Sequence, residues 1–265
     1  MKLHITHDTE FEYSEPLRAA VQRLHLRPLA GPTQAVLHWH IDAPGRLLSD
    51  VDGLGNAQDT FSVPAGVRRV QVRAVGVVES RACACFDDHA SLPASYFALS
   101  SALAGVHPRI SNWARQQVAD AEPSEVHVLA LAQAVATRVR YRSGRTQVDT
   151  EALEAFDWGW GVCQDQAHVM VAACRGLGWP ARYVSGYFYD PLAPELASHA
   201  WVDVCLDVQR GRWLSIDVTH ACLTDERHVR LAVGRDYGQC SPTRGVRQGG
   251  GQEHMQVSVH IQAQP

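Results

Sequence analysis

Three short segments carry side chains whose types could together perform nucleophilic acyl chemistry: Gly161-Val162-Cys163-Gln164-Asp165, Ser198-His199-Ala200-Trp201-Val202-Asp203, and Leu214-Ser215-Ile216-Asp217-Val218-Thr219. A neutral thiol is a poor nucleophile. An imidazole close to it can take its proton and return that proton to a leaving amine, and a carboxylate can fix the tautomer and direction of the imidazole. The outcome is acyl transfer through a thioester. In this reading Cys163 is the nucleophile, His199 the base and Asp217 the orienting acid. The backbone N–H of Cys163 is a ready oxyanion donor, worth roughly 2.7–4 kcal/mol on precedent. Trp158, Trp160 and Gln164 are candidates for a second donor, and Trp201 for the wall of the groove.

The elements that must position these groups can be read from periodicity. Cys163, Ala167, Met170, Cys174 and Leu177 recur at helical spacing, and Val169, Val171 and Ala172 make the remaining sides apolar, so Gly161 to Leu177 is predicted to be a buried helix. Cys163 then lies in its first turn, where free N–H groups and the helix dipole favour a thiolate. Asp165 in the same turn is a dipole partner, while Cys174 is a small hydrophobe and His168, about 140° around the helix from Cys163, is structural. Beyond the helix, alternation predicts strands at Ala181 to Tyr189, His199 to Leu206 and Trp213 to Val218. His199, Trp201, Asp203 and Cys205 share one face of their strand, against Ala200, Val202, Val204 and Leu206 on the other. A hairpin symmetric about Val208 would set His199 directly opposite Asp217, with Cβ atoms about 4.5–5.5 Å apart.

Elsewhere the chain divides in two. From Lys2 to Ser80 the period is two: Leu3, Ile5, His7, Thr9, Phe11 and Tyr13 alternate with mostly polar neighbours, and further short strands are punctuated by prolines and by Asp52-Gly53-Leu54-Gly55-Asn56. This pattern predicts a β-sandwich over residues 1–81. Helices at Arg109 to Val118 and Glu125 to Tyr141, the latter capped by Ser124, open a second domain over residues 82–265. Helices followed by strands make that domain α+β. Gly249-Gly250-Gly251 reads as a flexible loop before a last strand, Met255 to Ile261.

Composition narrows the function classes. Lys plus Arg number 24 against 28 Asp plus Glu, a net charge of −4 without a basic block, which argues against nucleic acid. No run of 18 apolar residues predicts a membrane span, and the acidic start has no signal-peptide core. Seven scattered cysteines, an odd number, fit reduced thiols in the cytoplasm. Cys83-Ala84-Cys85 with His89 lacks a second ligand pair, so no metal is expected. Gly53-Leu54-Gly55-Asn56 lacks the third glycine and following helix of a dinucleotide site. Arg138, Arg140, Arg142 and Arg145 read as a solvated helix end, or as a rim attracting an acidic substrate.

The stretches Gly161-Val162-Cys163-Gln164-Asp165-Gln166-Ala167-His168, Pro180-Ala181-Arg182-Tyr183-Val184-Ser185-Gly186-Tyr187, Ser198-His199-Ala200-Trp201-Val202 and Gly234-Arg235-Asp236-Tyr237 together resemble the bacterial transglutaminase-like superfamily, whose members are often described as cysteine proteases. The resemblance implies an N-terminal β-rich region before a papain-like, transglutaminase-like α+β core, with Cys163, His199 and Asp217 as the triad and no cofactor. Two departures stand out. The family usually has an aromatic residue or His where Gln166 stands, and a Pro-Thr-Asn type sequence where this chain has Val218-Thr219-His220. The expected function is thiol-dependent acyl transfer on a peptide or protein substrate with a reactive amide, by hydrolysis first and by transamidation as the alternative. A non-catalytic peptide-binding scaffold, with the N-terminal domain recruiting a protein partner, is the competing class.

Overall fold

The alternation at the start of the chain becomes strand β1 (Lys2–Tyr13), in which Leu3, Ile5, His7, Thr9, Phe11 and Tyr13 are buried and the residues between them are not. A computed structural model describes residues 1–88, 92–119, 121–192 and 198–264. Strands β2 (Leu17–Leu24), β3 (Gln34–Asp42), β4 (Leu48–Val51), β5 (Ala57–Val63) and β6 (Arg69–Ser80) complete the N-terminal region. Strand β4 is exposed at every residue, which is why no alternation announces it. After β7 (Cys85–Asp87) come helices α1 (Pro108–Val118) and α2 (Glu125–Arg138), strand β8 (Arg140–Tyr141), helix α3 (Ala152–Trp158), strand β9 (Trp160–Gly161) and helix α4 (Cys163–Gly176). The chain ends with β10 (Ala181–Phe188), β11 (His199–Asp207), β12 (Arg212–Asp217), β13 (Cys222–Leu223), β14 (His228–Gly234), the short α5 (Tyr237–Cys240), β15 (Thr243–Gly249) and β16 (Glu253–Gln264).

The predicted sandwich forms from two four-stranded sheets, in the orders β16-β1-β6-β3 and β15-β2-β5-β4. Its extent differs from the division into residues 1–81 and 82–265. The C-terminal strand β16 pairs with all of β1, from Lys2↔Gln264 to Tyr13↔Glu253, and β15 pairs with β2. The last 22 residues of strand and turn, 243–264, therefore belong with the first domain in space. Gly249, Gly250 and Gly251 all have positive φ, 77°, 87° and 61°, and this turn passes the chain from one sheet to the other, so the glycines make a defined crossover rather than a loose loop.

The second unit is built on a sheet ordered β13-β12-β11-β10-β14, with β7 also paired to β12. One face of that sheet is apolar as the parity predicts: Ala200, Val202, Val204, Leu214 and Ile216 share a core with Val169, Met170, Val171 and Ala173 of α4. Every α4 residue from Asp165 to Arg175 is buried, because α1, α2 and α3 pack around its other sides. This helix, buried on every side, carries Cys163 at its first position.

The two units are not joined by a linker alone. Tyr187, Val229 and Leu231 from the second sheet complete the core of the sandwich, and the Tyr187 hydroxyl bonds the buried His7 Nδ1 at 2.8 Å. Strand β14 is a sheet edge, and its outward backbone groups are met by side-chain amides. Gln34 donates to the Arg230 carbonyl at 2.8 Å and accepts the Arg230 N–H at 2.8 Å; Asn56 does the same for Val233 at 2.8 and 2.7 Å. Each amide imitates a neighbouring strand at its residue of the edge. Gln34→Leu and Asn56→Leu should therefore each lower stability by about 1–3 kcal/mol, the cost of a stranded buried polar group. Urea unfolding of each variant measures it, and midpoints equal to wild type would show that the amides do not hold the edge.

Candidate active site

Cys163 is placed by the turn that precedes it. Strand β9 pairs in parallel with β8, Arg140↔Trp160 and Tyr141↔Gly161, and the chain enters α4 two residues later. Asp165, the third helical residue, folds its carboxylate back: Oδ2 accepts the Val162 N–H and the Thr146 hydroxyl, both at 2.7 Å. Gly161 is required here, since a Cβ at that position would come within 2.5 Å of the Asp165 side chain. Burial pushes the Asp165 carboxyl above its ordinary pKa, against these two hydrogen bonds. Asp165 thus ties the helix start to the 142–150 loop, which is a structural task. The helix begins at Cys163 rather than at the predicted Gly161, and Cys163 keeps a first-turn backbone N–H.

His199 and Asp217 meet, but not through the symmetric hairpin. The observed pairs are Val202↔Ile216, Asp203↔Ser215, Val204↔Leu214 and Cys205↔Trp213, with a bulge at Leu206 before Asp207↔Arg212. Continued, this register sets Asp217 opposite Trp201, two residues away from His199. Because strand faces repeat every second residue, a shift of two keeps both side chains on one face. His199 reaches the carboxylate diagonally, with Nε2 2.8 Å from Asp217 Oδ2. Its other ring nitrogen, Nδ1, is not taken by Asp217, and Cys163 lines the same cleft as His199.

Asp217 holds more than His199. His220 Nδ1 lies 2.7 Å and His228 Nε2 3.0 Å from the same Oδ2, and the His220 backbone N–H donates to Oδ1 at 3.2 Å. Phe188 packs against all three imidazoles, with ring centroids 5.3, 4.4 and 4.7 Å from His199, His220 and His228. Burial alone would raise the Asp217 pKa, yet the His199, His220 and His228 donors hold it well below the usual carboxylate range. Reciprocally, burial opposes charge on His199, but the Asp217 carboxylate and the Cys163 sulfur outweigh it and hold the imidazolium up to about 10. The nitrogens facing an anionic carboxylate carry protons, so this is a hydrogen-bond cluster. His199, Asp217 and His228 each offer one ligand atom, all within 4.8 Å of one another.

Cys163 and His199 open onto a cleft of about 260 Å³, lined also by Tyr141, Phe188, Asp190, Ser198, Thr219 and His220. The predicted secondary candidates fall elsewhere. Gln164 commits its amide to the Val148 carbonyl at 3.0 Å. Trp160 lies under the Arg142 guanidinium and, with Arg138, Arg140 and Trp113, lines a separate depression. Trp201 is buried, with its ring 5.3 Å from His228 and 6.2 Å from His199, behind the histidines rather than in the cleft. His168 is buried at about 4 by desolvation and accepts the Tyr237 N–H, and Cys174 is pushed up to about 12 by burial. His89 lies outside the described residues. Tyr141, Phe188, His220 and His228 escape the sequence reading; only His220, three residues after Asp217, carries a local signal.

Comparison with known proteins places this geometry in a family. Residues 111–218 match the transglutaminase-like superfamily, and residues 3–79 match the bacterial transglutaminase-like N-terminal region. An uncharacterized protein of Mycobacterium tuberculosis is 30% identical, over 92% of this chain and 87% of its own. The chain belongs to the transglutaminase-like superfamily. An uncharacterized protein of Mycobacterium leprae is 27% identical over 98% of both chains. A solved structure described as a putative cysteine protease from Cytophaga hutchinsonii has the same fold, with a TM-score of 0.79 at 20% identity, covering all of this chain and 92% of that one.

Within this family frame, the two departures noted in the sequence are in contact. The Thr219 hydroxyl donates to Gln166 Oε1 at 2.7 Å, while Gln166 Nε2 donates to the Val139 carbonyl at 2.8 Å. They act as one brace, fastening the turn after Asp217 to α4 and to the end of α2.

The raised pKa of His199 makes a pH prediction with a definite sign. A group whose folded value lies above its unfolded 6.5 contributes stability that is fully present below 6.5 and is lost as pH rises through about 10. The stability difference between wild type and Asp217→Asn should therefore shrink from pH 6.5 to pH 10. Imidazole NMR should follow His199 titrating near 10 in wild type and several pH units lower in the variant; equal titration in both would refute the coupling.

Proposed function

We propose that this protein is a thiol-dependent acyl-transfer enzyme that hydrolyses amide bonds in a peptide or protein substrate. The observation that supports the reading is the 2.8 Å hydrogen bond from His199 to Asp217 in a cleft that Cys163 also lines. Membership of the transglutaminase-like superfamily supports thiol chemistry at Cys163.

In the proposed reaction His199 holds the proton of Cys163, leaving a thiolate. The sulfur attacks the substrate carbonyl carbon, and the developing oxyanion is met by the Cys163 backbone N–H in the first turn of α4. Collapse breaks the C–N bond as His199 gives its proton to the departing amine. Water then cleaves the thioester. Asp217 stays ionised throughout and keeps His199 Nε2 protonated, so that Nδ1 always faces the sulfur. Each of these steps uses side chains of this chain.

The same residues serve transamidation when an amine replaces water at the second step. We assign hydrolysis because Tyr141 and His220, both exposed, leave the cleft open to water. The seven free cysteines support a cytoplasmic setting, and among the described residues no helix is long and apolar enough to cross a membrane.

Two measurements test the proposal. Intact-mass spectrometry of a peptide and amine library incubated with the protein should show cleaved or deamidated products, absent with Cys163→Ala. Amine incorporation would instead assign a transglutaminase, and identical results for both proteins would favour the scaffold class. In kinetics on any substrate found, Asp217→Asn should lower kcat on the order of 10⁴-fold while Cys163→Ala removes the thioester route altogether. In the second measurement, iodoacetamide at pH 6 should label Cys163 ahead of the half-exposed Cys83 and Cys85, which have no histidine beside them in the cleft, while burial pushes Cys174 and Cys222 up to about 12 and about 11 and also raises Cys205 and Cys240. Uniform slow labelling of all seven cysteines would speak against a stabilised thiolate.

A further inference from the structure

Asp217 presents two histidines to the cleft, and the reaction above gives a task to only one. His220 lines the same cleft as Cys163 and His199, with its side chain 40% exposed. It is nevertheless held at three points: Nδ1 is 2.7 Å from Asp217 Oδ2, its own backbone N–H donates to Oδ1 at 3.2 Å, and its ring lies 4.4 Å from that of Phe188 at 32°. Its ring centroid is 5.5 Å from that of His199. Against an anionic carboxylate Nδ1 must carry the proton, which leaves Nε2 as the basic nitrogen. His220 and Asp217 therefore form a second dyad with the ring turned the other way: His199 uses Nε2 for the carboxylate, whereas His220 uses Nδ1 and, among the described residues, its Nε2 has no hydrogen-bond partner.

Resting on Cys163 as the nucleophile, we infer that His220 is a second general base, which activates the water that resolves the thioester. In this step His220 Nε2 takes one proton from water as the water oxygen forms a bond to the acyl carbon. The tetrahedral intermediate then expels the Cys163 thiolate as the C–S bond breaks. The product leaves as the carboxylic acid, and the proton taken up by His220 passes through solvent to His199, which gave its own to the amine, so that the thiolate–imidazolium pair is restored. Oxygen, protons and the electron pair of the C–S bond are accounted for without a further reactant. The arrangement divides the labour of the two half-reactions. His199 serves the sulfur and the leaving amine, while His220 serves the incoming water from the open side of the cleft.

The test uses the full chain and 4-nitrophenyl acetate, an activated ester that separates acylation, seen as a burst of nitrophenolate, from deacylation, seen as the steady rate. His220→Gln and His220→Phe, the second keeping a ring against Phe188, should leave the burst rate constant within about 2-fold. The steady rate should fall about 100-fold, the lower end of what a positioned base contributes. Acetyl-enzyme should accumulate by intact mass on Cys163, and added imidazole should restore turnover. An acetylated Cys163 whose deacylation is unchanged in both variants overturns the second base and leaves the nucleophile standing. A parallel fall of burst and steady rate, without imidazole rescue, overturns it in favour of a positioning role through Asp217. Wild type that gains no acetyl group on Cys163 overturns the nucleophile and the second base together.

Discussion

A single buried carboxylate governs the site. Asp217 is fully buried and faces four N–H groups, three imidazoles converging on Oδ2 and the backbone N–H of His220 on Oδ1. Burying an unpaired carboxylate would be strongly unfavourable; with four donors the charge is retained. The ionised state in turn fixes the tautomer of each histidine. His228 lies between two carboxylates, with Nε2 3.0 Å from Asp217 Oδ2 and Nδ1 3.1 Å from Asp225 Oδ1. The turn that brings His220 back over the carboxylate closes with Ala221 in the left-handed region, φ 51°, a conformation costing about 1–2 kcal/mol for a residue with a Cβ. The donors collected on Asp217 and the brace from Thr219 to Gln166 offset that strain.

The same sheet face carries a second buried charge, and the contrast separates structure from chemistry. Asp203 lies on the His199 face of β11, four residues along, and accepts from Arg182 Nε at 2.8 Å, from Arg230 Nη1 and Nη2 at 2.7 and 2.9 Å, and from the Ser215 hydroxyl at 2.6 Å. Burial opposes its charge, and the two guanidinium groups overcome this to hold it at about 2. Arg182 continues to Asp88 at 2.7 Å and stacks over Trp213. Permanently charged arginines make a lock, which has no titration near neutrality. Histidines around Asp217 make a group of proton carriers of the same shape. Both use a carboxylate on one strand face, and only the partner type differs.

How much of this was legible in the sequence follows from which interactions are local. Cys163 at a helix start, the apolar α4 and the parity of β11 are local patterns, and they survive in the structure. The predicted register is displaced by two residues because the turn pairs Asp207 with Arg212, three positions off the symmetric hairpin, and the one-residue bulge at Leu206 takes one back; His199 and Asp217 still meet, since a period of two forgives an even shift. Helix α3 and strand β8 were missed for a different reason: at seven and two residues they are shorter than the windows in which periodicity accumulates. The pairing of β16 with β1 joins residues 262 positions apart at its far end, Lys2 with Gln264, and no alternation in either strand names its partner. His228 and Phe188 belong to the same class, brought to Asp217 by strands whose pairing is set by tertiary packing.

That long-range pairing bears on what the sandwich does. Strand β14 begins with His228, which holds Asp217, and continues with Arg230, which holds Asp203; the outward backbone of the same strand is capped by Gln34 and Asn56 of the sandwich. Val229, between the first two, packs into the sandwich core with Tyr187, the residue before Phe188. The strand that steadies the carboxylate is therefore steadied from outside by the N-terminal unit, and the chain closes the arrangement by returning β15 and β16 to that unit. A β region that served only to recruit a partner would need one tether and a free surface. Here it supplies the missing neighbour of the edge strand that begins with His228, so the sandwich and the candidate site share one strand.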